Sequence, residues 1–164
     1  MLRRGAVSAC VVLLLALLGP GGAKPGRLAG NNRAAGTRAG AIVAAVNAVR
    51  AAHLLPALSV DLRLTRAARA HSLDMLRRGY FAHGNLLARM VRFHVRGTLF
   101  EENLVYSSGI LSGQAAVADW LASPPHRETL LDPKLRRIGA AAPVGPFSGY
   151  ATATVVTADF AGYR

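Results

Sequence analysis

Apolar positions in this chain recur at helical spacing through its middle and change to alternation near its end. From Ala41, the residues Ile42, Val46, Val49 and His53 step by three or four, which predicts a first helix. His53 falls in its last turn, where a partial positive charge suits the helix dipole and a structural role. Leu54 to Leu58 form an apolar connection. A second helix is predicted from about Asp61 to Arg78, with Gly79 as terminator and Leu64, Ala68, His71 and Met75 along one stripe. His71 therefore faces the core, as a hydrogen-bonded histidine or as part of a site. A short helical segment over 85–93 carries Leu86, Leu87, Met90 and Phe93, and His94, between Arg92 and Arg96, reads as a solvated residue. Thr98-Leu99-Phe100 and Leu104-Val105-Tyr106 bracket Glu101, Glu102 and Asn103, a strand interrupted by, or turning at, a polar tip. Ser107-Ser108-Gly109 is a turn.

Ser112 is placed to cap a helix bearing Ala115, Ala116, Val117, Trp120 and Leu121. That helix must stop near Ser123, because Pro124 drives the residue before it out of the α region. Prolines fit the first turn of a helix, so Ser123 is expected to cap a second short helix that carries His126 and ends at Asp132-Pro133. Its positive end favours a neutral imidazole. Beyond it, Ile138–Ala142 and Tyr150–Ala158 flank a turn-rich connector over 143–149 and predict a hairpin. Thr152, Thr154 and Val156 alternate with Ala153, Val155 and Thr157, as in a half-buried sheet. Three or four helices with a small antiparallel sheet make an α+β layered domain.

The N-terminus follows a different rule. Arg3 and Arg4 precede an apolar run from Ala6 to Leu18, followed by small residues up to Ala23, the pattern of an export signal cut near residue 23. The run is shorter than the roughly 20 residues that span a bilayer, so no integral span is expected after cleavage. Cys10, the sole cysteine, lies near the start of the apolar run, so the apolar segment follows it where a lipoprotein signal has it precede, which excludes lipidation. The mature chain then has no disulfide and relies on its core. Residues 24–40, rich in Gly, Ala, Asn and Arg without periodicity, read as a flexible basic linker ahead of a domain over 41–164.

Charge narrows the partners. The 20 basic and 8 acidic residues give +12, or +10 once Arg3 and Arg4 leave with the signal. Such a protein is drawn to anionic envelope polymers or lipid head groups, unless arginine is simply its preferred surface residue. Nucleic acid is excluded as a partner by the export signal and by the lack of a recognition motif or aromatic–basic interleaving. Without cysteine, a metal site needs His, Asp and Glu. The candidates His83, Glu102 and His126 lie on three separate segments, and no local spacing rule brings them together.

The order of motifs is more specific. Asn47-x-x-Arg50, Leu58-x-x-Asp61, Leu64-x-x-Ala67-Ala68-x-x-His71-Ser72-x-Asp74-Met75, Phe81-Ala82-His83, Glu102-Asn103 and Trp120-x-x-Ser123-Pro124-Pro125-His126-Arg127-x-x-Leu130-Leu131-Asp132-Pro133 together resemble a bacterial CAP domain of the SCP-like superfamily. The resemblance runs from about Ala41 to the C-terminus. It implies a three-layer α-β-α sandwich with a cleft lined by two histidines, similar to His83 and His126, and an acid similar to Glu102. Two positions depart from the pattern. Glu101 stands where the signature has glycine, and Ser123 stands where many members carry a second acid.

Two imidazoles and one carboxylate can hold Zn²⁺ or another divalent cation with a position open for water. A metal hydroxide could then attack a carbonyl, but Glu101 is the only nearby substitute for the missing general base. A purely structural polar cluster is the competing reading. Trp120 is expected in the core, and Asn47 and Arg50 are expected to hold loops. The resulting expectation is a secreted or envelope-associated domain that binds a lipid or wall-derived ligand without catalysis, with a cleft open to a divalent cation. The alternative is a metal-dependent hydrolase of peptides or cell-wall fragments.

Overall fold

The computed structural model describes residues 28–163; the expected export signal over 1–23, its cleavage point and Cys10 lie outside them. Helix α1 (Leu28–Ala52) starts well before Ala41, so the stretch expected as a flexible linker is helical from Leu28 onward. Ala and Arg propagate a helix readily, and a helix whose C-terminal half is packed needs no apolar stripe in its first turns. Ile42 and Val46 are buried on that packed half. His53 lies one residue past the helix end, exposed.

Helix α2 (Leu62–Arg78) follows the prediction closely. Asp61 caps it by accepting from the N–H groups of Arg63 and Leu64, and Gly79 ends it at φ 67°, in the left-handed region that glycine enters without strain. Helix α3 (Leu86–Arg92) is capped by Asn85. The two helices α4 (Gly113–Ala122) and α5 (Pro124–Leu131) flank the predicted break. Ser112 caps α4 as expected, accepting from the Ala115 N–H at 3.1 Å. Ser123 occupies the cap position of α5 but makes no side-chain cap bond. Because Pro125 stands at the second position of the helix, one of the two donors such a cap would serve is missing.

The strands are β1 (Ser59–Val60), β2 (Leu99–Ser108), β3 (Leu135–Ala141), β4 (Val144–Phe147) and β5 (Tyr150–Gly162). They form one sheet in the order β1-β3-β5-β2, with β4 also paired to β5. Only β1 runs parallel to its neighbour, β3. Three expectations change. Strand β2 crosses Glu101, Glu102 and Asn103 without a turn, paired with β5 from Leu99↔Gly162 to Ser108↔Ala153. The connector over 143–149 contains β4, which closes on β5 through the turn at Ser148-Gly149. Finally, β5 is buried on both faces from Ala153 onward, because helices cover both sides of the sheet.

The result is the expected α+β sandwich. Val156, Ala158 and Phe160 of β5 pack against α1, α4 and α5, while Ala153, Val155 and Ala161 face α2 and α3. Alternate residues of β2 part in the same way: Leu104 packs with Met75 on the α2 side, Val105 with the opposite cluster. Arg50, fully buried, joins loops to this frame by donating to the carbonyls of Pro56, Leu130 and Asp132 at 2.9–3.0 Å. Asn47 does the same for Leu58, accepting from its N–H at 2.8 Å and donating to its carbonyl at 3.0 Å.

Trp120 is 1% exposed, and its Nε1–H donates to the Leu104 carbonyl on the edge strand β2 at 3.0 Å. Trp120→Phe keeps most of the ring but leaves that buried carbonyl unpaired, so a loss of about 1–3 kcal/mol in denaturant unfolding is expected. A loss below about 0.5 kcal/mol would mean that the indole acts by packing alone.

Candidate functional site

The site forms where β2, the outer strand of the sheet, is overhung from both sides. Strand parity decides which residue goes where. Glu102 points to the α2 side, level with Asp159 on β5, whereas Glu101 and Asn103 point to the α5 side. His83 arrives from the loop after α2; His126 arrives from the first turn of α5.

On the α2 side, the Nδ1–H of His83 donates to Glu102 Oε1 at 2.7 Å. The other Glu102 oxygen pairs with the Arg89 guanidinium, which also reaches Asp159 Oδ1 at 3.3 Å. Exposure differs sharply within this group: the His83 side chain is 56% exposed, Glu102 1% and Asp159 0%. His71 lies beneath, its Nε2–H donating to the Ala82 carbonyl at 3.0 Å, with Glu102 Oε2 at 3.8 Å.

Burial sets the charges. It pushes Glu102 up to about 7 against the pull of Arg89. Asp159, more deeply enclosed, is raised well above the ordinary carboxylate range, with the neighbouring Glu102 charge adding to the rise. Two enclosed carboxyls opposite a single guanidinium disfavour a second negative charge. His71 is driven down to about 4 by burial and then by the Arg89 charge, so its approach to Glu102 is a contact of a neutral ring. His83 is lowered by the same two causes in the same order. The His83–Glu102 contact, ionic by distance alone, is therefore a hydrogen bond from a neutral imidazole.

On the α5 side, Asn103 Nδ2–H donates to the His126 backbone carbonyl at 2.9 Å, which fixes the start of α5 against β2. His126 is lowered by burial and then by the proximity of His83, which disfavours charging both rings. Glu101 turns away from this pair. It joins Thr129 and Asp132, where burial raises it, at a separate hollow of about 510 Å³ also lined by Pro125 and Glu128. It therefore cannot substitute for an acid beside Glu102. Ser123 remains at the α4–α5 corner.

His83 and Glu102 are thus in contact, and His126 is their neighbour across the edge. Among the described residues, no three His, Cys, Asp or Glu side chains are grouped so that they could hold one metal ion. As arranged, the trio does not fit a three-ligand metal centre, because Glu102 is enclosed and already engaged by His83 and Arg89.

Arg89 and Asp159 are the residues that sequence reasoning missed. Both left a signal. Arg89 falls within the inward stripe of α3, between Leu86 and Met90, and Asp159 interrupts the apolar run from Val155 to Ala161. A lone charge in an apolar stripe calls for a buried partner of opposite sign.

The chain belongs to the CAP family, the cysteine-rich secretory protein family, whose model matches residues 43–160. It is 35% identical over 98 residues to the uncharacterized membrane protein YlbC of Bacillus subtilis, covering 57% of this chain and 28% of YlbC. It is 31% identical over 103 residues to the uncharacterized protein YkwD of the same species, covering 60% and 39%. The chain thus spans well under half of either relative. In structure it is similar to an extracellular SCP-domain protein of Bacillus anthracis, with a TM-score of 0.70, 28% identity and coverage of 85% of this chain and 45% of that one. The fold is shared with an outer surface protein of Borrelia burgdorferi, at a TM-score of 0.61, 20% identity and coverage of 75% and 90%.

Proposed function

We propose that this chain is a secreted or envelope-associated binding protein whose CAP domain holds a lipid or wall-derived ligand and performs no chemistry on it. The observation that carries the reading is the state of Glu102. A general base or a metal ligand needs a lone pair that substrate, water or metal can reach. This carboxylate is 1% exposed, accepts from His83 and is neutralised by Arg89. Its partner acid, Asp159, is more enclosed still. Such a network stiffens the strand edge and presents the two histidines to a ligand as neutral, hydrogen-bonding rings. Secretion accords with the extracellular SCP-domain protein of Bacillus anthracis that this chain resembles.

One observation favours the second reading, a metal-dependent hydrolase of peptides or wall fragments. His83 and His126 are both held neutral, the form that binds Zn²⁺. In that reading they would hold the ion, and Glu102 would join only after leaving Arg89. Isothermal titration of metal-free protein with zinc separates the two. The binding-protein reading expects no stoichiometric uptake that both His83→Ala and His126→Ala abolish, and no hydrolysis of a peptide or muropeptide panel. Turnover that disappears in Glu102→Gln would replace it with the hydrolase.

A further inference from the structure

Away from the cleft, α3 has an outer face with no counterpart in the fold. Its inner side, Leu86 and Met90, packs on Leu64 and Ala67 of α2. One turn apart on the other side, Leu87 is 62% and Val91 67% exposed. Beside them Leu86, Leu87, Gly97, Thr98 and Phe100 line an apolar hollow of about 470 Å³.

The charge around this face is one-sided. Residues 62–98 contain eight arginines, of which Arg89 is engaged in the cleft with its side chain 10% exposed, against Asp74 alone. Residues 99–163 contain four basic side chains and six acidic ones, so beyond Asp61 the excess belongs to the α2–α3 half. Arg92 and Arg96 are exposed directly after Val91.

We infer that the outer face of α3 is a docking surface for an anionic lipid bilayer, with Leu87 and Val91 entering the acyl boundary and Arg92 and Arg96 held at the head-group phosphates. The combination selects the partner. A soluble polyanion would satisfy the arginines and leave leucine and valine in water, while an apolar protein groove would bury the aliphatic pair and strand the charges. A leaflet of acidic lipid offers phosphate and hydrocarbon at adjacent depths, and arginine stems can lie along the apolar layer with their charges in the head groups. The inference goes beyond the cleft reading and is tested without touching His83, Glu102 or His126.

The test uses the full-length chain with vesicles of phosphatidylglycerol and phosphatidylcholine in equal parts, and of phosphatidylcholine alone. Co-sedimentation is expected with the acidic vesicles only, and is expected to weaken roughly tenfold or more in Leu87→Ser/Val91→Ser, in Arg92→Glu/Arg96→Glu and in high salt. All four substituted positions are exposed, and circular dichroism checks that both variants fold. Hydrogen exchange reads the face itself, independently of the N-terminal apolar run: backbone amides over 86–97 are expected to slow on acidic vesicles. Undiminished binding in both double variants, unchanged exchange over 86–97, or capture by an anionic wall polymer in preference to vesicles overturns the assignment. Loss in the arginine pair alone also overturns it, since a bilayer requires both.

Discussion

Replacing Arg89 by methionine is expected to cost the fold about 3–5 kcal/mol at pH 8, among the largest effects of any single substitution in this chain. Among the described residues the guanidinium is the only cation in contact with Glu102 and Asp159, the histidines being neutral, and both carboxyls are essentially sealed from water. Methionine keeps the length and the packing of α3 while removing the charge. The pH dependence separates charge from packing. Both carboxyls already bind their protons more tightly in the fold than an ordinary carboxylate does, Glu102 at about 7. A carboxyl raised in this way helps the fold below its unfolded value, near 4.5 for Glu102, and that help is lost as pH rises through the folded value. Removing Arg89 raises both groups further, so the deficit of the variant should be large at pH 8 and much smaller at pH 5. His71, pushed down to about 4 by burial and then by the Arg89 charge, weakens the fold as pH falls below 6.5; losing Arg89 relieves part of that penalty, which shrinks the deficit at pH 5 further. Urea unfolding at the two pH values, with Glu102→Gln as a second background, provides the measurement. An equal deficit at pH 5 and pH 8, with no recovery in the double variant, would show that Arg89 acts through its stem alone.

A methyl group at Gly139 should be nearly as damaging, for a reason unrelated to charge. A Cβ built there lies 2.1 Å from the Thr65 nitrogen and 2.2 Å from the Leu64 carbonyl carbon, both in the backbone of α2. Neither can rotate away, so the helix must lift from the sheet. Overpacking of this kind costs about 1–3 kcal/mol and more where backbone is the obstacle, and Gly139→Ala is placed at or above that upper end. For a domain of this size it corresponds to a fall in Tm of about 10 °C. Gly145→Ala provides the control in the neighbouring strand: its Cβ would meet only the flexible Leu76 side chain at 3.7 Å, and its Tm should scarcely move. The close approach at Gly139 matters to the site because it brings α2, and with it His71, down onto the strand pair that carries Glu102 and Asp159. Heat unfolding of the two variants side by side decides the point; equal Tm values would mean that α2 has slack the geometry does not suggest.

The helices were legible in the sequence because the information that forms them is local. Asp61 and Gly79 bound α2, Ser112 opens α4, and the two prolines start α5, each through a backbone group only a few residues away. The stripe of Leu64, Ala68, His71 and Met75 is likewise set by the helical period. The motif order also brought out His83, Glu102 and His126, and the first two are in contact.

Pairing across the sheet was not legible, since register depends on residues far apart in the chain. Whether the stretch from Leu99 to Ser108 is a turn or a continuous strand was settled by β5, and with it the opposite orientations of Glu101 and Glu102. Sequence alone determined the helices from Ala41 onward, that a hairpin follows the last of them, and which side chains could carry chemistry. Tertiary structure alone decided that Asp159 lies level with Glu102 and that Arg89 reaches both. The charge on a buried acid depends on everything within a few ångströms, and those neighbours come from α2, α3 and β5 at once.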